Sequence, residues 1–258
     1  MKRIMKQSMK NLKNNVELLE GERLDDLNLK GYQIIQNPKF FCFGMDAVLL
    51  SAFTEIKEGD TVLDLGSGNG IIPILLEAKT KGKKFTGLEI QEQNVDMARR
   101  SILLNHIEEK VEMHLGDVRK IKEYYTAESF DVVTSNPPYM NAGGGLINLH
   151  EAKTIARHEV LCSLEDIIYA ASYVLKNKGN FYMVHRPHRL VDIMVLLRKH
   201  RLEPKTLQMV HPYMDKEPNM VLIKAVKNAK ALLKVSKPLI VYNEKGQYND
   251  EVKELYNE

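Results

Sequence analysis

From Thr61 onward, short β-branched apolar runs alternate with longer amphipathic ones, and that rhythm admits few folds. Strands alternating with helices imply parallel pairing, because each strand must return to the same edge through a crossover. The spacing predicts strands at 61–65, 84–90, 111–115, 130–135 and 181–186. Helices are expected at 71–79, 93–105, 164–175 (ending at Lys178-Gly179) and 190–199. Runs 207–211 and 220–226 read as a closing antiparallel pair. The expectation is an α/β chain: a mostly parallel seven-stranded sheet, helices on both faces and an antiparallel C-terminal strand pair. Ahead of it, 24–36 alternates as a short strand or hairpin, and 40–53 is a dense apolar stretch of helical character. Asp46 is the only charge in that stretch, so it either caps the helix or lines a site.

With 258 residues, 44% of them apolar, the chain suffices for one large domain. The division expected is a basic extension over 1–40, the main domain over 41–226, and a C-terminal extension over 227–258 packed on the same domain. A formal charge of +3 permits a polyanionic partner without requiring one. Cys42 and Cys162 lack metal-ligand spacing, so reduced thiols in the cytoplasm and no metal are expected. No run is long and apolar enough for a bilayer, and basic residues 1–16 contain no signal-peptide core, so no membrane association is expected. The sequence is silent on oligomeric state and compatible with a monomer.

Asp64-Leu65-Gly66-Ser67-Gly68-Asn69-Gly70 ends one strand and opens a helix, presenting backbone N–H groups to a ligand. The dinucleotide fingerprint G-x-G-x-x-G fails here, because Gly70 comes one residue early and Ile71 holds the required position. A P-loop is excluded because no Gly-Lys-Ser or Gly-Lys-Thr follows. Asp64 would repel a pyrophosphate but suits a ligand carrying an ammonium group, which points to S-adenosylmethionine. Glu89, at the next strand end, is placed to accept from ribose hydroxyls. Asp117 follows the third strand and could accept from an adenine amino group, with Ile90 and Val118 against the ring. Each acid alone is more often a cap; together they mark successive carboxyl ends of parallel strands.

Phe130-Asp131-Val132-Val133-Thr134-Ser135 runs into Asn136-Pro137-Pro138-Tyr139. Two prolines forbid both further ladder pairing and a helix, so the turn is a rigid platform. Asn136 Oδ1 and the Pro137 carbonyl can accept the two hydrogens of a planar amine, and Tyr139 can stack on its ring.

These motifs together resemble a class I S-adenosylmethionine-dependent methyltransferase, Rossmann-like in fold, of the group carrying Asn-Pro-Pro-Tyr. Within it the chain is most similar to the bacterial tRNA1(Val) (adenine(37)-N6)-methyltransferase family. Carriers are Phe43-Gly44-Met45-Asp46-Ala47-Val48, 64–73, Gly87-Leu88-Glu89-Ile90, 135–139, Ala156-Arg157-His158-Glu159, Val184-His185-Arg186-Pro187, Val210-His211-Pro212 and Pro238-Leu239-Ile240-Val241-Tyr242. The resemblance implies S-adenosylmethionine as cofactor and tRNA, at the anticodon region, as partner. Its cofactor residues would be Asp46, Asp64, Gly66, Gly68, Gly70, Glu89, Ile90, Asp117, Val118 and Asn136. Arg157, Arg186 and Arg189, with Tyr139, are candidates for substrate contact; helix caps or ion pairs are the alternative. Lys224, Lys227, Lys230, Lys234 and Lys237 form either an RNA footprint or a solvated face. The residues themselves leave open a release-factor glutamine, a DNA or ribosomal RNA adenine, and a non-catalytic RNA-binding module.

Overall fold

The computed structural model describes residues 16–40, 42–137 and 162–256. The strands are β1 (Arg23–Asp26), β2 (Gln33–Gln36), β3 (Thr61–Leu65), β4 (Lys84–Glu89), β5 (Val111–Leu115), β6 (Phe130–Ser135), β7 (Leu175–His185), β8 (Leu202–His211), β9 (Met220–Lys227), β10 (Lys234–Val235) and β11 (Leu239–Ile240). Helices are α1 (Met45–Phe53), α2 (Ile71–Lys79), α3 (Glu92–Leu104), α4 (Ile121–Tyr124), α5 (Leu164–Val174), α6 (Leu190–Lys199) and α7 (Asp250–Tyr256).

The main sheet runs β10-β8-β9-β7-β6-β3-β4-β5, with β11 also on β8. Its seven long strands lie where expected, except that β7 and β8 begin earlier, at Leu175 and Leu202, and two two-residue strands extend the outer edge. Only β9 opposes its neighbours: β7 and β8 both pair with it antiparallel and therefore run the same way. The reason is connection length. A helix carries the chain from β7 to β8, whereas the few residues from Pro212 to Asn219 allow only a hairpin.

Alternation along each strand feeds two cores. Val62, Val132, Tyr182 and Val184 face the cluster formed with α1, α2 and α3. Leu63, Val133, Phe181 and Met183 face the cluster formed with α5 and α6. Helix α5 starts on a capping box: Ser163 Oγ accepts from the Asp166 N–H, and the Asp166 carboxylate accepts from the Ser163 N–H at 2.8 Å. The N-terminal hairpin β1–β2 is tied to α3, because the Ile35 N–H donates to Ser101 Oγ at 2.9 Å and Asn105 pairs with both the N–H and the carbonyl of Gln33. At the other end, α7 buries Val252 in the first core.

Strand order reverses at β3, which has β4 on one side and β6 on the other. Open α/β sheets bind ligands in the crevice at the carboxyl ends beside such a reversal.

Candidate active site

The reversal brings two of the sequence motifs together. Leu65 is in register with Ser135, so the glycine turn after β3 and the Asn136-Pro137 turn after β6 leave the sheet side by side. Gly66, Gly68 and Gly70 adopt φ of +70°, +55° and +79°, the left-handed region in which a side chain is strained. Gly70 is also tightly packed: a Cβ there would lie 3.0 Å from Ala98 Cβ, so Ala98 would have to give way.

Glu89 holds this turn. It is 6% exposed, and its two carboxylate oxygens accept from the Gly68 N–H and the Gln91 N–H, each at 2.9 Å. The carboxylate thus joins the glycine turn to the start of α3. The Gly66 and Ser67 N–H groups donate to the Leu88 carbonyl, completing the clamp.

Asp64 is not at the surface: it is 1% exposed and points to the same face as Val62. Thr134, its register partner on β6, donates to it through Oγ1 at 2.7 Å. Burial pushes the Asp64 carboxyl up to about 7, the Thr134 hydrogen bond acting the other way. Asn69 Oδ1 is buried without a hydrogen-bond partner among the described residues; Asp64 Oδ2 and Ser67 Oγ, also buried, have no partner there beyond each other, the nearby Ser67 hydroxyl helping to hold the Asp64 carboxyl down. Under-satisfied buried polar atoms of this kind, around a cradle lacking side chains, are what a polar ligand at this turn would satisfy. An ammonium group fits the Asp64 carboxylate in particular.

A raised carboxylate pKa has a testable sign. The folded value lies above the ordinary value near 4, so Asp64 lets the cofactor-free protein be most stable at low pH, and that contribution is lost as pH rises through about 7. The melting temperature of the wild type relative to Asp64→Asn should therefore fall between about pH 4 and 7 and level off above that. A difference that stays flat would show that Asp64 ionises normally.

The remaining candidates divide. Asp117 caps the short turn after β5 and forms a 2.6 Å ion pair with Arg119, which holds its carboxyl below the usual range. Val118 is buried in the second core, whereas Ile90 is 41% exposed and offers an open apolar surface at the end of β4. Asp46 lies in the first turn of α1 and accepts from the Ala47 N–H at 2.9 Å. Asn136 is half-buried and Pro137 buried at the end of β6. Tyr139 and Arg157 lie outside the described residues. Arg186 directly follows β7 and donates from Nη1 to the Asn219 carbonyl at 2.9 Å; Arg189 pairs with Asp192 at 3.0 Å. Of the lysine run, Lys224, Lys227 and Lys237 pair with Glu55, Glu128 and Glu251.

Three participants escaped the sequence reading. Thr134 was hidden in an apolar strand, and only its register opposite Asp64 reveals it. Asn69 Nδ2 donates to the Ile35 carbonyl at 3.3 Å, so β2 reaches the glycine turn. His185 ends β7, is buried, and accepts at Nδ1 from the Arg186 N–H at 2.8 Å; burial lowers it to about 4, so it is neutral at physiological pH.

Known proteins resemble this chain in sequence and in fold. A tRNA1(Val) (adenine(37)-N6)-methyltransferase from Porphyromonas gingivalis is 27% identical over 207 residues, covering 77% of this chain and 79% of the relative. The Bacteroides thetaiotaomicron protein of that name is 24% identical, covering 83% and 88%. Among solved structures, a predicted O-methyltransferase from Agrobacterium tumefaciens superposes with a TM-score of 0.68 at 23% identity, covering 83% of this chain and 96% of that one. A geranyl diphosphate C-methyltransferase from Streptomyces coelicolor, solved with S-adenosyl-L-homocysteine, gives 0.53 at 14% identity, covering 70% and 79%. The model of the family described as "Methyltransferase domain" matches residues 56–238, which takes in the glycine turn, Glu89 and Asn136, and the chain belongs to that family.

Proposed function

We propose that this methyltransferase uses S-adenosylmethionine to methylate the exocyclic N6 of an adenine in tRNA, namely adenine 37 of tRNA1(Val). The observation that carries the reading is the register of Leu65 with Ser135, which sets the amine-holding turn beside the cofactor cradle. The target is supported by the names of the relatives, which span the same fold.

S-adenosylmethionine supplies an electrophilic methyl carbon. In this reading the chain holds it through Asp64, which accepts from the ammonium group, through the backbone of Gly66 to Gly70, and through Glu89, which turns its remaining acceptor capacity to the ribose hydroxyls. Asp117 and Ile90 stand at the next strand ends, where an adenine would meet a carboxylate and an apolar surface. The rest of catalysis is alignment. The adenine amino nitrogen is a poor nucleophile because its lone pair is delocalised into the ring. Asn136 Oδ1 and the Pro137 carbonyl accept its two hydrogens, draw it toward tetrahedral geometry and stabilise the positive charge that develops on it. The extra proton of the methylated amine then leaves to water, so no strong base is needed. Tyr139 stacks on the extruded base, and Arg157, Arg186 and Arg189 meet phosphates.

The test is to incubate the protein with methyl-labelled S-adenosylmethionine and, in parallel, unmodified tRNA, ribosomal RNA, DNA and a release factor. Label in tRNA adenine is expected. Label confined to a protein glutamine would overturn the target while keeping the cofactor.

A further inference from the structure

We propose that the tyrosine-lined cavity beyond the end of β8 is a second RNA subsite, a stacking platform for a single-stranded nucleotide flanking the methylated adenine; this rests on the tRNA reading above. The cavity holds about 1110 Å³ and is walled by Tyr213, Met214 and Tyr242, with Gln247 and Asn249 supplying amides. That is ample for a ligand the size of a nucleotide.

Its rings are arranged as a platform. The centroids of Tyr213 and Tyr242 lie 5.4 Å apart, and Tyr248 stacks on Tyr242 at 5.4 Å with planes 17° apart. Tyr213 remains 37% exposed and Met214 79%. Clustered rings of this kind ordinarily fill a core; here the outer one is presented to solvent. The backbone under them is already ordered. The Tyr242 N–H donates to the Pro212 carbonyl, and Tyr242 and Tyr248 form an isolated antiparallel bridge. The intervening turn closes through Asn243 Oδ1, which accepts from the N–H groups of Lys245 and Gln247. A preformed surface loses little entropy on binding.

Position selects the occupant. Because β8 runs with β6 and β7, His211 ends at the same sheet edge as Ser135 and His185. Three strand spacings separate the ends of β6 and β8, roughly 14 Å, which a few nucleotides of extended RNA can span. Arg186, at the end of β7, stands between them. The charges around the cavity, Lys216 and Lys245 against Asp215 and Glu244, balance. Recognition there must come from ring stacking, which suits an unpaired base and tolerates any sequence.

The experiment measures binding of fluorescein-labelled unmodified tRNA to the full chain and to Tyr213→Ala and Tyr213→Phe, with S-adenosylmethionine affinity as a control. Tyr213→Ala should weaken tRNA binding by roughly 5- to 100-fold, the range for loss of one stacking contact. The ratio to wild type should be the same at low and moderate salt, because no phosphate contact is removed. Tyr213→Phe should bind like wild type, and the cofactor affinity of both should be unchanged. A Tyr213→Ala protein that binds tRNA within about twofold of wild type would overturn the proposal, as would a loss that phenylalanine does not restore or that extends to the cofactor. Wild-type protein that methylates a substrate yet binds no tRNA would sink the tRNA reading itself, and this subsite with it.

Discussion

Asn136→Ala is expected to lower kcat by about 10²- to 10³-fold or more, the cost of removing a group that stabilises transition-state charge. Asn136 closes β6 where the chain leaves the sheet, and the register of Ser135 with Leu65 sets it against the glycine turn without making it part of that turn. Cofactor affinity, measured by calorimetry, should therefore stay within a few-fold of wild type. Asn136→Asp keeps the shape and an acceptor but adds a charge that the amine must approach, so partial activity is expected. Wild-type turnover in Asn136→Ala would remove the amine-holding turn from the mechanism.

The second large effect falls on Glu89. In Glu89→Ala the buried Gly68 N–H and the half-buried Gln91 N–H both lose their acceptor, at about 1 to 3 kcal/mol for the buried group and less for the other. For a domain of this size each kcal/mol corresponds to roughly 2 to 4 °C, so the melting temperature should fall by several degrees. Cofactor affinity should fall by about 100-fold or more, because the variant loses a ribose acceptor and the clamp on the cradle together. Glu89→Gln retains one acceptor oxygen and should recover part of the stability with little of the affinity. If Glu89→Ala melts like wild type, the clamp described between β4 and the glycine turn is not what orders that turn.

The central strands and helices were legible because burial on both faces leaves an unambiguous mark. Val62, Leu63 and Leu65 and the unbroken apolar run Ile71 to Leu76 could be nothing but core, and the structure ends β3, β5, α2 and α6 where the residue pattern does. The miss at 175–180 has the opposite cause. Lys176-Asn177-Lys178-Gly179-Asn180 reads as a helix end and a turn, yet β7 begins at Leu175, paired with Phe130 before a register shift. Lys176 forms a 2.8 Å ion pair with Asp131 on β6, so a tertiary contact draws a polar segment into the sheet. Helix α7 and strands β10 and β11 were invisible for a simpler reason: at two to seven residues they carry no period, and their neighbours define them.

The site was legible in its backbone and less so in its side chains. Glycine spacing pointed to the turn whose three glycines adopt positive φ. The acids were located correctly at strand ends, but a linear sequence does not say which way a carboxylate turns. Glu89 faces inward onto backbone N–H groups, Asp64 is sealed against Thr134, and Asp117 faces Arg119. The hairpin ahead of residue 40 read as an extension because its partners on α3 lie more than sixty residues away. In the fold, its Ile35 carbonyl meets Asn69 inside the glycine turn.

The most direct measurement of the central claim is nuclease mapping and mass spectrometry of tRNA1(Val) from cells lacking this chain, before and after incubation with the protein and S-adenosylmethionine. One added methyl group on N6 of adenine 37, absent when Asn136→Ala replaces wild type, is the result predicted. An unmethylated adenine 37, with the methyl group on another base or on a protein glutamine, would contradict it.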